Sequence, residues 1–437
     1  MILVMWISMG LVSIALYFSN SMVLEYRASE NSVASIEAAH AVEGAGRYIS
    51  YILENQEEKG CMPDDESYES EEVSIGNAKF WIVGRTSGDE DEINGGQPVF
   101  GIVSEASKLN LNTATLEMLE ALPGMTTELA ASIIDWRDTD MEITPNGAES
   151  EYYLMQDQPY HAKDGKLETM EELRLILGGD PDLLYGEDAN RNGLLDPNED
   201  DGENSPPSDN TDGTLDPGIL EYVTVFSREP DVRDDGSPRV NITGAPGELD
   251  QLLREKFGAA RAGEIRQALG PNLRNIKSVL EFYFRSRMTP EEFKSIENEI
   301  TTSGEGFREG LVDVTTAPAP VLECLPGVGE EYASRILAER QDRSTDELHS
   351  LVWVADILGE EGAAEAGPFI TTRSYQFSVD VAAVGGNGRG FRRDLFVFDT
   401  SGDNPVVLYR RDLTRLGWPL GTDIRSELEE NGKDENR

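Results

Sequence analysis

The first stretch of the chain, Met1 to Leu24, carries no charged side chain and reads MILVMWISMGLVSIALYFSNSMVL. Each helical residue adds about 1.5 Å, so a helix of this length spans roughly 30 Å or slightly more, which matches a bilayer core. A cleaved secretory signal is the alternative, but the stretch has no basic start and no small-residue cleavage pattern. We therefore predict a retained transmembrane helix over residues 1–24.

Beyond Glu25 the pattern becomes amphipathic without any signal that ends a helix. Apolar residues recur at helical spacing among charged ones, and no proline occurs before Pro63. We expect one continuous rod with a lipid-facing half and a water-facing half. The apolar positions of the second half are Val33, Ile36, Val42, Gly46, Ile49 and Leu53.

Short segments rich in aromatic and β-branched residues predict strands after the long helix. Residues 77–86 and 97–103 are two of them, separated by a polar turn over residues 88–96. Residues 219–227, with the sequence ILEYVTVFS, predict another strand on the same grounds.

Alternating apolar and polar residues return near the C-terminus and predict strands over residues 375–384, 394–399 and 406–410. The glycine-rich residues 385–390 lie between two of these segments and are typical of a hairpin tip. The polar residues 421–437 predict a frayed tail.

An internal repeat organises the middle of the chain. The hexad LNLNTA at residues 109–114 returns as VDVTTA at residues 312–317 and, more loosely, as VNITGA at residues 240–245. An apolar helix follows each copy, and in the outer two it closes on Leu-Pro-Gly before a second helix, Thr126 to Arg137 or Glu330 to Arg340. This layout predicts two helix-hairpin-helix (SAM-like) units.

Further helices are expected between and after these units. A capping-box pattern at Thr169 starts a predicted helix that ends at Leu177. Helical patterns also cover residues 248–269, 289–299 and 346–358.

Charge argues against a nucleic-acid partner. The chain has 83 acidic and 37 basic residues, a formal net charge of −46, and such a surface repels phosphate backbones. Helix-hairpin-helix units often hold a phosphate on the backbone N–H groups after the turn, but here Glu128, Glu330 and Glu331 occupy those positions. We therefore interpret the units as packing modules.

Residues 188–199, DANRNGLLDPNE, fit the twelve-residue EF-hand loop, with Gly193 at the sharp turn. Oxygen ligands in this number suit calcium, although an acidic loop can match by chance. Helices are not evident on both sides, so a lone calcium loop is expected. The predicted ligands are Asp188, Asn190, Asn192, Leu194 through its carbonyl, Asp196 and Glu199.

A second cluster, Asp209, Asp212 and Asp216, resembles the core of such a loop, but Ile219 stands where the last acid should be. A second ion therefore stays open. Residues 182–216 contain eleven acidic side chains and one basic one. Divalent cations would cancel this repulsion and fix the segment.

Other chemistry is sparse in this sequence. His40, His161 and His349 lack metal-site spacing, and no nucleophile–base pattern or phosphate-binding motif is present, so we do not expect an enzyme. Cys61 and Cys324 cannot form a disulfide framework. Their pairing stays open, although burial as a small apolar side chain is favoured for Cys324.

Taken together, the N-terminal helix, LNLNTATLEMLEALPG, IIDWRDTD, GAESEYY, EELRLILG and the second copy VDVTTA resemble the K-type minor pseudopilins of type II secretion, general secretion pathway protein K. The resemblance covers most of the chain, because these segments recur in the same order.

The resemblance implies an α+β fold in which a large helical insert interrupts a pilin-like antiparallel sheet packed on the long helix. The expected divisions are the membrane segment 1–24, the helix and first strands 25–104, a calcium-binding insert 105–367, the completing strands 368–420 and the tail 421–437.

The resemblance also implies a role. Such a protein caps the tip of the type II secretion pseudopilus, with other minor pseudopilins and the inner-membrane secretion platform as partners. It would cross the bacterial inner membrane once and place its globular part in the periplasm. The alternative is a membrane-anchored helix-hairpin-helix DNA-uptake receptor, against which the acidic charge counts.

Overall fold

The computed structural model describes residues 2–434 except residues 57, 86–96, 208, 234 and 305. The polar turn predicted over residues 88–96 lies outside the described residues. The α-helices in the described ranges are α1 (Ile2–Glu54), α2 (Leu116–Glu120), α3 (Thr127–Arg137), α4 (Ser150–Tyr153), α5 (Pro181–Tyr185), α6 (Pro246–Leu269), α7 (Val279–Ser286), α8 (Pro290–Lys294), α9 (Ala319–Glu323), α10 (Gly329–Gln341), α11 (Thr345–Leu348), α12 (Val352–Ala366) and α13 (Gly421–Asp434).

The strands of the described ranges are mostly short. They are β1 (Val73–Ile75), β2 (Ala78–Val83), β3 (Val103–Ser104), β4 (Leu109–Asn110), β5 (Val223–Thr224), β6 (Arg228–Pro230), β7 (Val240–Asn241), β8 (Ile300–Thr301), β9 (Phe307–Glu309), β10 (Val312–Asp313), β11 (Ile370–Thr371), β12 (Gln376–Val384), β13 (Phe391–Asp399) and β14 (Val406–Asp412).

The long N-terminal helix is continuous, as the sequence predicts. α1 spans 53 residues, and every residue from Ile2 to Asn20 is exposed. By length and composition it is apolar enough to cross a membrane. In the second half one stripe of small and aliphatic residues is buried at helical spacing: Ala34, Ala38, Ala41, Val42, Ala45, Ile49 and Leu53.

The stripe of α1 packs against one antiparallel sheet. The strand order is β1-β2-β12-β13-β14, and β3 pairs with the far end of β12. Segments that are distant in sequence therefore form one sheet. Its inner face meets α1 through a core that includes Phe80, Ile82, Phe377, Val379, Val381, Phe396 and Phe398.

A second, larger core lies among the elements between β3 and β12, and its buried residues run from Leu109 to Ile370. The three copies of the repeated hexad share one local geometry there. Each begins with a two-residue strand in a parallel pair, β4 with β5, β7 with β8 and β10 with β11. The whole is a mixed α+β fold with a long apolar N-terminal helix and an antiparallel sheet, as the sequence predicts.

Several local predictions differ from the structure. The strand predicted over residues 219–227 is wrong, because Ile219–Glu221 form a 3-10 helix and only Val223–Thr224 form a strand. Ile219 and Val223 are buried in the larger core, and Leu220, Tyr222 and Val225 pack against it. Burial alone does not distinguish a strand from a short helical turn. The helix predicted from Thr169 is a 3-10 helix, Met170–Leu175, with its capping box formed. The tail predicted to fray is helical in α13.

The predicted glycine hairpin tip contacts the backbone of α1. Gly390 has a positive φ of 70°, and a Cβ atom placed on it would lie 2.2 Å from the carbonyl carbon of Ala34. Gly385, at the other side of the tip, would bring its Cβ atom within 2.2 Å of the Ala34 carbonyl oxygen. Only a residue without a side chain allows this close approach.

Replacing Gly390 with alanine should therefore destabilise the protein by more than about 2 kcal/mol, since positive-φ strain adds to the overlap with α1. Gly76→Ala is the matched control, because Gly76 also has a positive φ (63°) but a Cβ atom placed on it would meet nothing within 4 Å. We expect the control to lose only about 1–2 kcal/mol. Chemical denaturation of the detergent-solubilised protein measures both, and equal losses would contradict the proposed overlap.

Candidate functional site

The predicted metal loop lies against the outer face of the sheet. Arg393 on β13 is fully buried and donates from Nη1 to the Asn190 carbonyl (2.6 Å) and from Nη2 to the Arg191 carbonyl (2.7 Å). Arg85 donates to the same Arg191 carbonyl at 2.7 Å. Asp380 on β12 accepts two charge-assisted hydrogen bonds from Arg393. The sheet therefore holds the first half of the loop by its backbone.

The first predicted ligand folds the loop around its carboxylate. Asp188 is buried, and its two oxygens accept from the backbone N–H groups of Asn192 and Gly193, each at 2.9 Å. Asn192 Oδ1 accepts in turn from the Leu194 N–H at 2.8 Å. Gly193 has a positive φ of 74°, which is the sharp turn that the motif requires.

The last predicted ligand reaches back across the loop. Glu199 is 1% exposed, and its two oxygens accept from the N–H groups of Ala189 (2.9 Å) and Asp196 (3.0 Å). Asp196 Oδ2 accepts from the side-chain amides of Asn190 (2.6 Å) and Asn192 (3.1 Å). The predicted ligand side chains are thus brought together in one compact turn, and Leu194 lies in the same turn.

The buried carboxyl groups of this loop would be stabilised by a bound cation. Burial raises the pKa of Glu199 to about 7, and the neighbouring carboxylates of Asp188 and Asp196 add to that rise. Burial likewise raises the pKa of Asp188 above its ordinary value. Asn190 Oδ1 is buried without a hydrogen-bond partner, although such oxygens are almost always satisfied. Buried acids beside an orphaned amide oxygen are the donor set that a hard divalent cation prefers.

The second acidic cluster is organised differently. Asp209, Asp212 and Asp216 each accept from backbone N–H groups nearby, those of Gly202 (2.8 Å), Thr214 (2.8 Å) and Gly218 (3.0 Å), respectively. Asp212 and Asp216 are exposed, and no described contact joins the three carboxylates to one another. The second cluster therefore lacks the compactness of the first loop.

Sequence reasoning missed a residue of this second cluster, Glu187. Its buried carboxylate accepts from the N–H groups of Asn210 and Asp216, both at 3.2 Å. Glu199 makes the same kind of two-point contact across the first loop. Glu187 is thus a buried acid in contact with this cluster, whereas the motif position of the last acid is occupied by Ile219. No spacing rule reveals it, because it precedes its partners by 23 and 29 positions.

The two cysteines are free thiols that are not bonded to each other. Cys324 is buried, as the sequence favours, and its Sγ donates to the Pro320 carbonyl at 2.9 Å. Cys61 is also buried and lies just beyond the C-terminal end of α1, far along the chain from Cys324.

Comparison with known proteins identifies the segment that leads into the metal loop. Residues 103–185 match the family model described as Type II secretion system (T2SS), protein K. This segment is therefore similar to protein K of the type II secretion system. This confirms the sequence-based resemblance for the stretch from β3 through α5, which ends three residues before Asp188.

Two further proteins are similar to this chain, one in sequence over a short stretch and one in structure. Type II secretion system protein K of Klebsiella pneumoniae is 38% identical over 71 residues, which are 16% of this chain and 22% of that protein. The match therefore spans about a fifth of the relative's length. The crystal structure of the GspK-GspI-GspJ complex from enterotoxigenic Escherichia coli contains a chain that aligns with 91% of this one and 97% of its own length, with 11% identity and a TM-score of 0.38. A TM-score of this size does not establish a shared overall fold.

Proposed function

We propose that this protein is a minor pseudopilin that caps the tip of a type II secretion pseudopilus. The protein K domain at residues 103–185 is the observation that carries the proposal. This domain follows α1, the one helix among the described residues that has membrane-spanning length and composition. Such an arrangement suits a subunit anchored in the inner membrane with its globular part in the periplasm. The role is structural rather than catalytic. The comparisons give no support to the DNA-uptake alternative.

The two sides of α1 support assembly with other pseudopilins. One side is buried against the sheet, whereas Val33 and Ile36 on the opposite side are 53% and 56% exposed. Apolar side chains at this spacing on a helix are suited to packing beside the equivalent helix of a neighbouring subunit. The partners in this proposal are other minor pseudopilins and, at the membrane, the secretion platform.

The part of the protein that contains the larger core supports a position at the end of the filament. The larger core joins buried apolar residues along the described part of the chain from Leu109 to Ile370, so it is a rigid body and not a loose loop. A body of this kind beside the pilin-like sheet would obstruct the addition of another subunit above it. The filament would therefore end at this subunit.

We also propose that the two helix pairs, α2 with α3 and α9 with α10, are helix-hairpin-helix packing modules. Arg137, at the end of α3, donates to the Leu111 and Ala114 carbonyls, and Arg340 in α10 donates to the Ala317 carbonyl at 2.7 Å. Each arginine thus fastens its second helix to the repeated hexad of its own unit. Both arginines serve the internal fold, which supports packing over phosphate binding.

We further propose that Asp188, Asn190, Asn192, Leu194, Asp196 and Glu199 hold calcium, with the orphaned Asn190 oxygen as the supporting observation. Calcium would neutralise the buried acids and fix the loop on the sheet.

For the second cluster, equilibrium dialysis of the purified protein counts the bound calcium ions. Two bound calcium ions, reduced to one by Glu187→Gln, are the result expected if Glu187 completes a second site with Asp209, Asp212 and Asp216.

Site-specific photocrosslinking tests the assembly role. A photoreactive amino acid at Ile36 in the membrane of a type II-secreting host should give adducts with small pilin-like subunits, since Ile36 lies on the exposed side of α1. The same probe at Ile143, which is 60% exposed on the distant body, is the matched control and should give none of these adducts. Adducts absent from both positions would overturn the proposal, as would tight binding of DNA in a gel shift at physiological salt.

A further inference from the structure

Three metal-binding side chains converge where α1 ends. Glu58 and Cys61 follow α1, and His349 follows α11, 288 positions beyond Cys61. His349 Nδ1 lies 3.0 Å from Glu58 Oε2 and 3.7 Å from Cys61 Sγ, and the Sγ atom lies 3.7 Å from the same Glu58 oxygen. The three donor atoms form a small triangle of sulfur, nitrogen and oxygen.

The dimensions of this triangle suit a tetrahedral zinc ion. Zinc binds thiolate sulfur at about 2.3 Å, imidazole nitrogen at about 2.0 Å and carboxylate oxygen at about 2.0 Å, so tetrahedral angles place the donors roughly 3.3–3.6 Å apart. The observed separations differ from this range by a few tenths of an ångström. A nucleophilic relay would instead use both ring nitrogens of the histidine, one toward the thiol and one toward the acid. Here Nδ1 alone faces both partners.

Neighbouring residues hold two of the donors in place. Arg373 Nη1 donates to Cys61 Sγ at 3.2 Å and to the Lys59 carbonyl at 3.3 Å. Thr372 Oγ1 donates to the His349 carbonyl at 2.9 Å. Hydrogen bonds of this kind orient metal ligands and tune them from outside the coordination sphere.

The local charge is compatible with a divalent cation. The Glu58 carboxylate lies 3.7 Å from the Arg373 guanidinium, and these two charges balance each other. Zinc binds cysteine as the thiolate, so a metal bound here would displace the Cys61 proton and leave one negative charge beside it.

We propose that Glu58, Cys61 and His349 form a zinc site, with water in the fourth position, that fastens the C-terminal end of α1 to the body of the protein. The thiolate and imidazole select zinc over calcium, which prefers oxygen ligands alone. The site is therefore chemically distinct from the calcium loop, and it does not depend on the secretion role.

Cobalt substitution of the full-length, detergent-solubilised protein tests this site. Calcium is present in excess to saturate the oxygen sites, and Co²⁺ is titrated under reducing, anaerobic conditions. One equivalent of Co²⁺ per protein should bind. The bound ion should show the visible absorption bands of tetrahedral cobalt and a near-ultraviolet sulfur-to-cobalt charge-transfer band. Zinc should then displace the cobalt and abolish both signals. Cys61→Ser should lose the charge-transfer band, and His349→Gln should lose the tetrahedral spectrum.

The second cysteine provides the matched control. Cys324 is equally buried but does not belong to the triangle of Glu58, Cys61 and His349, so Cys324→Ser should keep the complete cobalt spectrum. Circular dichroism of each variant without metal establishes that it is folded, and zinc should raise the unfolding temperature of the wild type and Cys324→Ser but not of folded Cys61→Ser. A wild-type protein without the charge-transfer band, or a band that survives in Cys61→Ser, would overturn the proposal.

Discussion

Glu199→Gln should abolish the protection against proteolysis that bound calcium is expected to give residues 182–216. The substitution keeps the size of the side chain, but it weakens the contacts with the Ala189 and Asp196 N–H groups and removes the negative charge that calcium requires. At a free calcium concentration about 100 times Kd, binding stabilises the folded loop by about 2.7 kcal/mol, and this contribution would be lost. Limited proteolysis followed by mass spectrometry measures the cleavage.

The wild type treated with a chelator should be cleaved in the same segment as Glu199→Gln with calcium present. Glu203→Gln is the matched control, because Glu203 is an exposed acid of the same segment that is not among the predicted ligands. It removes one negative charge and should keep the calcium-dependent protection. Wild-type cleavage that is the same with and without chelator would rule out a structural calcium ion in this loop.

The elements that the sequence predicts well are those with a strong local period. The charge-free run and the stripe after it predict α1, which the structure shows as one helix. The alternating residues 375–384 and 406–410 correspond to β12 and β14, because successive side chains of a strand point to opposite faces of the sheet. The repeated hexad also predicts related local geometry. In each copy the side-chain oxygen of the second residue (Asn110, Asn241 or Asp313) accepts from the backbone N–H two positions later, a turn that depends on neighbouring residues alone.

Contacts between distant segments are what the sequence does not reveal. Glu187 joins the second acidic cluster from outside its motif, and Cys61 meets His349 only after the chain has folded. The apolar run 219–227 shows the same limit, because its side chains pack on the larger core while only Val223 and Thr224 pair as a strand. Periodicity reports whether a side chain is buried, and it does not report which partner buries it.

The compact turn over residues 188–199 follows from contiguous residues, because the motif gives each position a defined place in one turn. That this turn binds calcium stays a prediction. Its attachment to the sheet was not predictable, because Arg393 lies 203 positions beyond Asn190 and follows no motif.

Arg393→Met should destabilise the protein by about 3–5 kcal/mol, the usual loss when one partner of a buried ion pair is removed. Methionine fills much of the space, but Asp380, which is 4% exposed, would keep its charge without a partner. The carbonyls of Asn190 and Arg191 would also lose their donors. Chemical denaturation of the calcium-loaded, detergent-solubilised protein measures the loss.

Two comparisons separate this effect from the loss of any positive charge. Lys79→Met breaks a pair with Glu72 in which both side chains are at least one-third exposed, and it should cost no more than about 1 kcal/mol. The double variant Arg393→Met with Asp380→Leu removes both charges and should recover part of the stability, since the unpaired carboxylate is the main penalty. Because Arg393 binds the loop by its backbone, the double variant should still bind calcium more weakly than the wild type. Recovery of stability without recovery of calcium affinity would separate the two roles of Arg393, which are pairing with Asp380 and holding the loop. If Arg393→Met alone is as stable as Lys79→Met, both roles are contradicted.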